Sequence, residues 1–292
     1  MVFMYWVKKK DGHTHTNLSH HGSDEDVEQY IQKAIQLGFS EYVITEHAPL
    51  PERFIAQSVH DESYLAETAM AVGEINRYFE RVQQLKRKYE KEIQIIVGLE
   101  VDYLVGFEQE TQELLTRYDD VIEEIVLSVH FMPSDNQNLA MIDGSPDILR
   151  QHFQQQLGQP QRLFQNYFQT LLQSVTFPFT TSAKIRIGHM TLINKFQDAF
   201  DWTGYDSETL AMIDEVLFEI KKVGYELDYN AAGLYKPLSN SAYPTIPIVV
   251  KALQLGISLV YGSDAHMVMD VGHGYHQLAQ TVDQLDEKLK ND

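Results

Sequence analysis

Imidazole and carboxylate side chains recur along this chain at one kind of place, the end of an apolar β-rich run. That regularity constrains the fold more tightly than any composition value. The first instance is Asp11-Gly12-His13-Thr14-His15, where strand alternation puts His13 and His15 on one face, two residues apart and within reach of one metal. His47 closes the run 42–46, Glu100 closes 93–99, His130 closes 125–129 and His189 closes 185–188. Asp264 and His266 close the run 257–263. With His21 these make nine potential ligands, and a parallel barrel is the architecture that gathers the C-terminal ends of successive strands around one mouth. Histidines scattered through a core or over a surface have no reason to choose those positions.

The rest of the pattern agrees. β-rich runs near 5–15, 41–46, 93–101, 125–131, 184–190, 225–230 and 257–263 alternate with helical candidates at about 24–37, 65–91, 108–119, 147–174, 206–223, 244–255 and 275–290. Alternation of this kind predicts an α/β chain with a parallel sheet and right-handed crossovers. Runs such as 93–99 are apolar almost throughout, as strands are when helices cover one face and a packed interior the other. An open doubly wound sheet would place ligands mainly at its switch point, whereas here six of seven strands contribute, so the sheet is expected to close into a barrel. The sixth strand ends in Asn230 instead. One connection, 135–183, is unusually long and is expected to form an insertion near the mouth of a single domain spanning 1–292; its glutamines read as a solvated helix face.

Composition narrows the chemistry. The chain has no cysteine, so any transition metal must be held by nitrogen and oxygen, which suits Zn, Fe or Mn. A formal charge of −19 opposes the approach of a phosphate backbone and makes nucleic acid an unlikely main substrate. Bound divalent ions reverse the local sign at the mouth, so a small phosphate ester remains compatible. The apolar stretch within Met1 to Lys10 is too short for a signal peptide or a membrane span, and a cytoplasmic protein with no membrane partner is expected.

The residues also carry a family resemblance. His13-Thr14-His15, His21, Thr45-Glu46-His47, Gly98-Leu99-Glu100, Ser128-Val129-His130, Gly188-His189 and Gly262-Ser263-Asp264-Ala265-His266 resemble, in order, the metal motifs of the PHP (polymerase and histidinol phosphatase) family. The segments 46–50, 98–103 and 228–237 are similar to its monofunctional histidinol-phosphate phosphatases. The resemblance implies a distorted seven-stranded (β/α)7 TIM-like barrel and three divalent metal ions. It implies that His13, His15, Glu100 and Asp264 hold the first, that Glu100, His130 and His189 hold the second, and that His21, His47 and His266 hold the third. It selects His21 over the adjacent His20, which is expected to be exposed or to sit behind the ligands.

What the resemblance implies about chemistry is phosphomonoester hydrolysis, of L-histidinol phosphate to L-histidinol and phosphate, with Glu100, Asp264 and His266 as catalytic groups. Asp264 or His266 would move a proton to the leaving alkoxide. Phosphate also needs donors. Lys195 resembles a basic phosphate contact of related phosphatases, and Lys236 lies in the loop after the sixth strand, where many relatives carry Arg before the lysine and this chain has Tyr235. Arg186 is a weaker candidate, expected to be solvated or helix-facing because alternation separates it from His189. Asp11 and Glu46 either orient imidazoles or are simply solvated, and Asp102, with Glu46 behind it, is the expected carboxylate for a cationic substrate end. His60, His152, His273 and His276 fall outside the strand-end pattern and are expected on the surface or on helices. The competing readings are a PHP phosphoesterase acting on nucleotides or oligonucleotide ends, an amidohydrolase, and a non-catalytic metal-binding regulatory module.

Overall fold

A computed structural model of the chain describes residues 6 and 8–291. Nine strands occur among the described residues: β1 (Lys10–Asp11), β2 (Glu41–Ile44), β3 (Gln94–Asp102), β4 (Glu124–Ser128), β5 (Phe131–Pro133), β6 (Leu139–Met141), β7 (Lys184–Ile187), β8 (Glu226–Asn230) and β9 (Leu259–Gly262). Seven of them pair in the order β1-β2-β3-β4-β7-β8-β9, every pair parallel. The ring closes between its ends through a parallel bridge from Thr14 to Ala265 and a Gly12 N to Tyr261 O bond of 2.8 Å. This is an α/β TIM-like barrel of seven strands. The first expected run, 5–15, begins partly outside the described residues, at positions 5 and 7, and its strand is short.

The apolar alternation within the runs sets the two faces. In β3, Ile95, Val97, Leu99 and Val101 pack into the core beneath the helices, while Ile96, Gly98, Glu100 and Asp102 take the alternate, inward face. That interior is narrow. A Cβ on Gly98 would stand 2.7 Å from Thr45 Cγ2, and one on Gly188 would stand 2.1 Å from Ser128 Oγ, so both strands need glycine where they approach their neighbours.

Helices cover the outside, each with a local cause. Val27–Gln36 buries Val27, Tyr30, Ile31 and Ala34, one helical stripe, and Asp26 caps it by accepting from Glu28 N. Ser207–Val223 is capped by Asp206 and ends at Gly224, whose φ of 80° suits glycine.

Two expected helices are interrupted. In place of 65–91, the chain ends a short helix, Glu62–Ala66, makes a 3-10 turn at Val72–Glu74 and forms a long helix only at Ile75–Lys88. The break follows from Met70 N donating to His47 O at 3.2 Å, which draws 67–71 towards the mouth. The expected 147–174 helix divides into Pro146–His152, Gln154–Leu157 and Pro160–Thr176, the last starting at a proline that has no N–H to continue the preceding turn.

The long connection 135–183 therefore has two fates. Residues 139–144 reach the mouth through the β5–β6 hairpin, whereas Pro160–Thr176 packs beside Ser207–Val223 as an outer helix of the barrel. A small second core of Leu50, Phe54, Leu65, Leu104, Phe107, Phe131 and Met141 sits under the hairpin and the broken helix.

Candidate metal centre

Each strand-end residue of the pattern arrives at the same place. His13 and His15 follow β1, His47 follows β2 and bridges to Glu100 of β3, His130 follows β4, His189 follows β7, and Asp264 and His266 follow β9. His13, His15, His47, Glu100, His130 and His189 are buried. Five imidazole nitrogens surround the Glu100 carboxylate. His13 Nε2, His15 Nε2 and His47 Nε2 lie 3.0, 3.1 and 3.4 Å from Oε2, and His189 Nε2 and His130 Nε2 lie 2.9 and 3.6 Å from Oε1. Ser128 Oγ also donates to Oε1 at 2.6 Å. Asp264 Oδ1 is 3.3 Å from His15 Nε2 and 3.7 Å from His13 Nε2.

That crowding tests whether the donors suit a metal. His13 Nε2 and His15 Nε2 stand 3.2 Å apart, and a carboxylate has too few lone pairs to satisfy every nitrogen aimed at it. Nδ1 of His15, His47 and His189 is buried with no hydrogen-bond partner. A cation is the group that such a set of nitrogens and oxygens accommodates, and thiolate-free N/O donors suit a divalent ion. Ligating atoms lie within 4.8 Å of one another in four sets: His13, His15 and Asp264; His13, Glu100 and His189; His15, His47 and Glu100; His47, Asp102 and His130. His21 and His266 join none of these sets, but their rings stand 4.7 Å apart, and His21 is also 4.7 Å from His47.

The electrostatics point the same way for the carboxylates and for His47 and His266, and the opposite way for His13 and His130. Burial opposes ionisation of Glu100 and Asp264, yet the surrounding histidines, His13 foremost, hold both well below the usual carboxylate range. Burial drives His47 and His266 well below the usual imidazole value, so they present lone pairs. Burial likewise opposes charging of His13 and His130, but the carboxylates prevail: Glu100 and Asp264 raise His13 well above its ordinary value, and Asp102 and Glu100 lift His130 to about 10.

Behind the cluster stand groups that orient it. His13 Nδ1 faces Asp228 Oδ2 at 2.9 Å, and the same oxygen takes Asn230 Nδ2 at 3.0 Å and His189 N at 3.3 Å. His130 Nδ1 faces Asp102 Oδ1 at 2.7 Å. A carboxylate on the rear nitrogen turns Nε2 forward and fixes its tautomer.

Sequence reasoning missed Asp228, although the alternation Asp228-Tyr229-Asn230 at the end of β8 was available as a signal. It also misplaced several partners. Asp11 receives Ser263 N at 2.9 Å and touches no imidazole. Glu46 is pinned by Thr16 N, Thr16 Oγ1 and Ser19 Oγ, where it shapes the loop carrying His21. Arg186 is not solvated: it is fully buried in the barrel interior, bonded to Gly12 O and paired with Glu124, because alternation puts it on the inward face with Gly188. His20 is exposed near Glu74, as expected, whereas His60, expected on the surface or on a helix, accepts from Met141 N in the hairpin.

Above the cluster lies a cavity of about 460 Å³ lined by Glu100, Asp102, Asp264 and five of the histidines, with Lys195 and Lys236 on its wall. Lys195 Nζ is 2.9 Å from Asp143 Oδ2. Asp143, which sequence reasoning also missed, is held down to about 2: burial works against its ionisation, and Lys195 and His130 outweigh it. No helix among the described residues is long and apolar enough to cross a membrane.

A parallel barrel with a histidine and carboxylate cluster at its mouth defines a class of metal-dependent hydrolases, and residues 11–232 match the PHP domain; the chain belongs to that family. More particularly, it is 33% identical over 272 residues to a histidinol-phosphatase of Bacillus subtilis, covering 92% of this chain and 97% of that one. A solved structure from Listeria monocytogenes, described as a candidate histidinol phosphatase, is 37% identical with a TM-score of 0.86, covering 92% of this chain and 99% of that one. The fold is shared with the histidinol phosphate phosphatase of Lactococcus lactis, solved with zinc, L-histidinol and phosphate, at a TM-score of 0.66 and 16% identity over 95% and 94% of the two chains.

Proposed function

We infer that this chain is a histidinol-phosphatase, a phosphoric monoester hydrolase that converts L-histidinol phosphate to L-histidinol and phosphate. The observation that carries the reading is the convergence of five imidazoles on buried Glu100 beneath a cavity with two lysines, in a chain 33% identical to a histidinol-phosphatase along nearly its whole length. We assign three divalent ions of Zn, Fe or Mn, held by His13, His15, Glu100 and Asp264; by Glu100, His130 and His189; and by His21, His47 and His266. Such ions, when bound, acidify water and neutralise charge on a transferring phosphoryl group, the two requirements of a reaction whose uncatalysed rate is among the slowest known.

The chain's own groups then divide the remaining work. Lys195, oriented by Asp143, and Lys236 hold phosphate oxygens. Asp228 and Asp102 keep His13 and His130 turned with Nε2 forward. Asp264 or His266, both unprotonated in the free site and both lining the cavity, would take the proton given up by the attacking water and pass it to the leaving alkoxide. The cavity suits a small molecule, and the charge of −19 disfavours a polynucleotide; a diffusible ester in the cytoplasm is the setting we assign.

The test is phosphate release by purified protein reconstituted separately with Zn, Mn and Fe, comparing L-histidinol phosphate with AMP, a sugar phosphate and a short single-stranded DNA. The expected result is metal-dependent turnover with kcat/KM highest for L-histidinol phosphate. Equal rates on all substrates would reject the assignment.

A further inference from the structure

Five carboxylates line the cavity, and four are engaged. Glu100 and Asp264 face the imidazole cluster, Asp102 is 2.7 Å from His130 Nδ1, and Asp143 pairs with Lys195 at 2.9 Å. Glu67 is the fifth. Among the described cavity residues it is the one acid with no ion pair and no side-chain hydrogen bond. Lys195 is likewise engaged, which leaves Lys236 as the one cavity cation without a partner among the described residues. The site therefore carries one free charge of each sign.

Their placement follows from the topology. Glu67 lies in the connection between β2 and β3, and Lys236 lies just after β8. In a closed ring ordered β1-β2-β3-β4-β7-β8-β9, the gap between β2 and β3 stands directly across the mouth from β8. Lys195 follows β7, next to β8, but its ammonium reaches Asp143 at the hairpin end, so Lys236 is the lysine that the strand order sets across the mouth from Glu67.

The wall around Glu67 is built with care. Tyr64 O–H reaches Met141 Sδ at 3.2 Å, and a Cβ on Gly144 would stand 2.5 Å from Tyr64 Oη, so the hairpin end closes tightly on the broken helix. Phe131 and Met141 add apolar surface beside it. An acid next to aromatic and thioether surface is a site for an organic cation carrying a flat ring.

We propose that Glu67 is the specificity-determining residue for the cationic amine of the substrate, with Tyr64, Phe131 and Met141 flanking the substrate's ring, and the phosphate held across the mouth on the side of Lys236. The proposal rests on the phosphatase reading above and assigns to Glu67 the recognition that sequence reasoning placed on Asp102, whose carboxylate is committed to His130. The Glu67 side chain is exposed in the free protein, and bound substrate covers it, so the pair forms where solvent screening is reduced.

The experiment compares L-histidinol phosphate with 3-(imidazol-4-yl)propyl phosphate, which keeps the ring and the ester but lacks the amine, in the metal-loaded wild type, E67Q and E67D. Calorimetric titration of L-histidinol and measurement of metal content accompany the kinetics. The wild type is expected to prefer the amine-bearing ester. In E67Q that preference falls about three- to tenfold, through KM, with weaker L-histidinol binding and full metal content, and E67D retains an intermediate preference. The same preference in wild type and E67Q, or no preference in the wild type, would overturn the role of Glu67 while leaving the phosphatase reading intact. A wild type that fails to hydrolyse L-histidinol phosphate would instead remove that reading, and the proposal with it.

Discussion

At the scale of single residues, the site depends on side chains that stand behind the ligands. Asp228 is fully buried, and one of its oxygens takes His13 Nδ1, Asn230 Nδ2 and His189 N together, so a single carboxylate coordinates two ligand histidines and a strand end. Replacing it with Asn keeps the shape but removes the charge that makes His13 a better donor and fixes its tautomer. Asp228→Asn is expected to lower metal affinity about 10- to 100-fold while the protein stays folded, as loss of such a partner does in other metal sites. Zinc retention against a competing chelator, with circular dichroism as the control for folding, measures this; wild-type retention in the variant would show that His13 needs no such support. The residues that gather at the mouth were legible in the sequence because strand ends impose a visible spacing. Asp228 was legible only as an inward-facing position in the alternation at the end of β8; its role rests on a contact with His13, 215 positions away, which spacing does not encode.

At the scale of elements, the barrel strands were readable for a simple reason. Strands buried on both faces are nearly continuous apolar runs, and β3, with eight of its nine residues buried, is the clearest case. The broken helix at 65–91 was not readable, because its interruption comes from Met70 N bonding to His47 O, a tertiary contact that overrides local helix preference. Between elements, polar ties add to the packing. Glu28, in the first turn of Val27–Gln36, receives Arg81 from the middle of Ile75–Lys88, Lys88 from its end and Tyr89 just after it. Its carboxyl is held down to about 2, chiefly by the Lys88 and Tyr89 hydrogen bonds. A depressed folded-state value means stabilisation that is fully present above the unfolded value of 4.5 and is lost as pH falls towards about 2. Because the group is partly exposed, screening reduces the contribution to about 1 kcal/mol. Glu28→Gln is therefore expected to lower unfolding stability by about that amount at pH 7, with the gap to wild type closing between pH 4.5 and 2. Urea melts across that range check it, and a gap that persists unchanged at the acid end would assign the loss to packing instead.

At the scale of the whole molecule, the two ends of the barrel solve opposite problems. The mouth collects imidazoles and carboxylates, while the interior below is filled by a charge the chain supplies itself, the guanidinium of Arg186. That side chain is fully buried, bonds Gly12 O just ahead of His13, and pairs with Glu124, which Lys10 also reaches. Burial lowers the Arg186 pKa while Glu226, Asp228 and Asp11 support its charge. Breaking a buried pair from one side leaves an uncompensated charge, which costs about 3–5 kcal/mol, whereas replacing both partners with apolar groups is often close to neutral. Arg186→Met should then destabilise the protein by about 3 kcal/mol, the low end, because Lys10 still neutralises Glu124. The double variant Arg186→Met with Glu124→Leu should recover much of that loss. Metal removal provides the contrast: chelation should lower the thermal midpoint of the wild type, since ions that bind only the folded mouth stabilise by about 4 kcal/mol at a thousand times their dissociation constant. Re-addition of zinc or manganese should restore it. Arg186→Met should stay destabilised in both the loaded and stripped states, because its defect lies in the barrel interior and not in the ligands. If the double variant proved less stable than the single, Arg186 and Glu124 would not act as one buried pair. If saturating metal fully repaired Arg186→Met, the guanidinium would belong to the metal site and not to the barrel's own core.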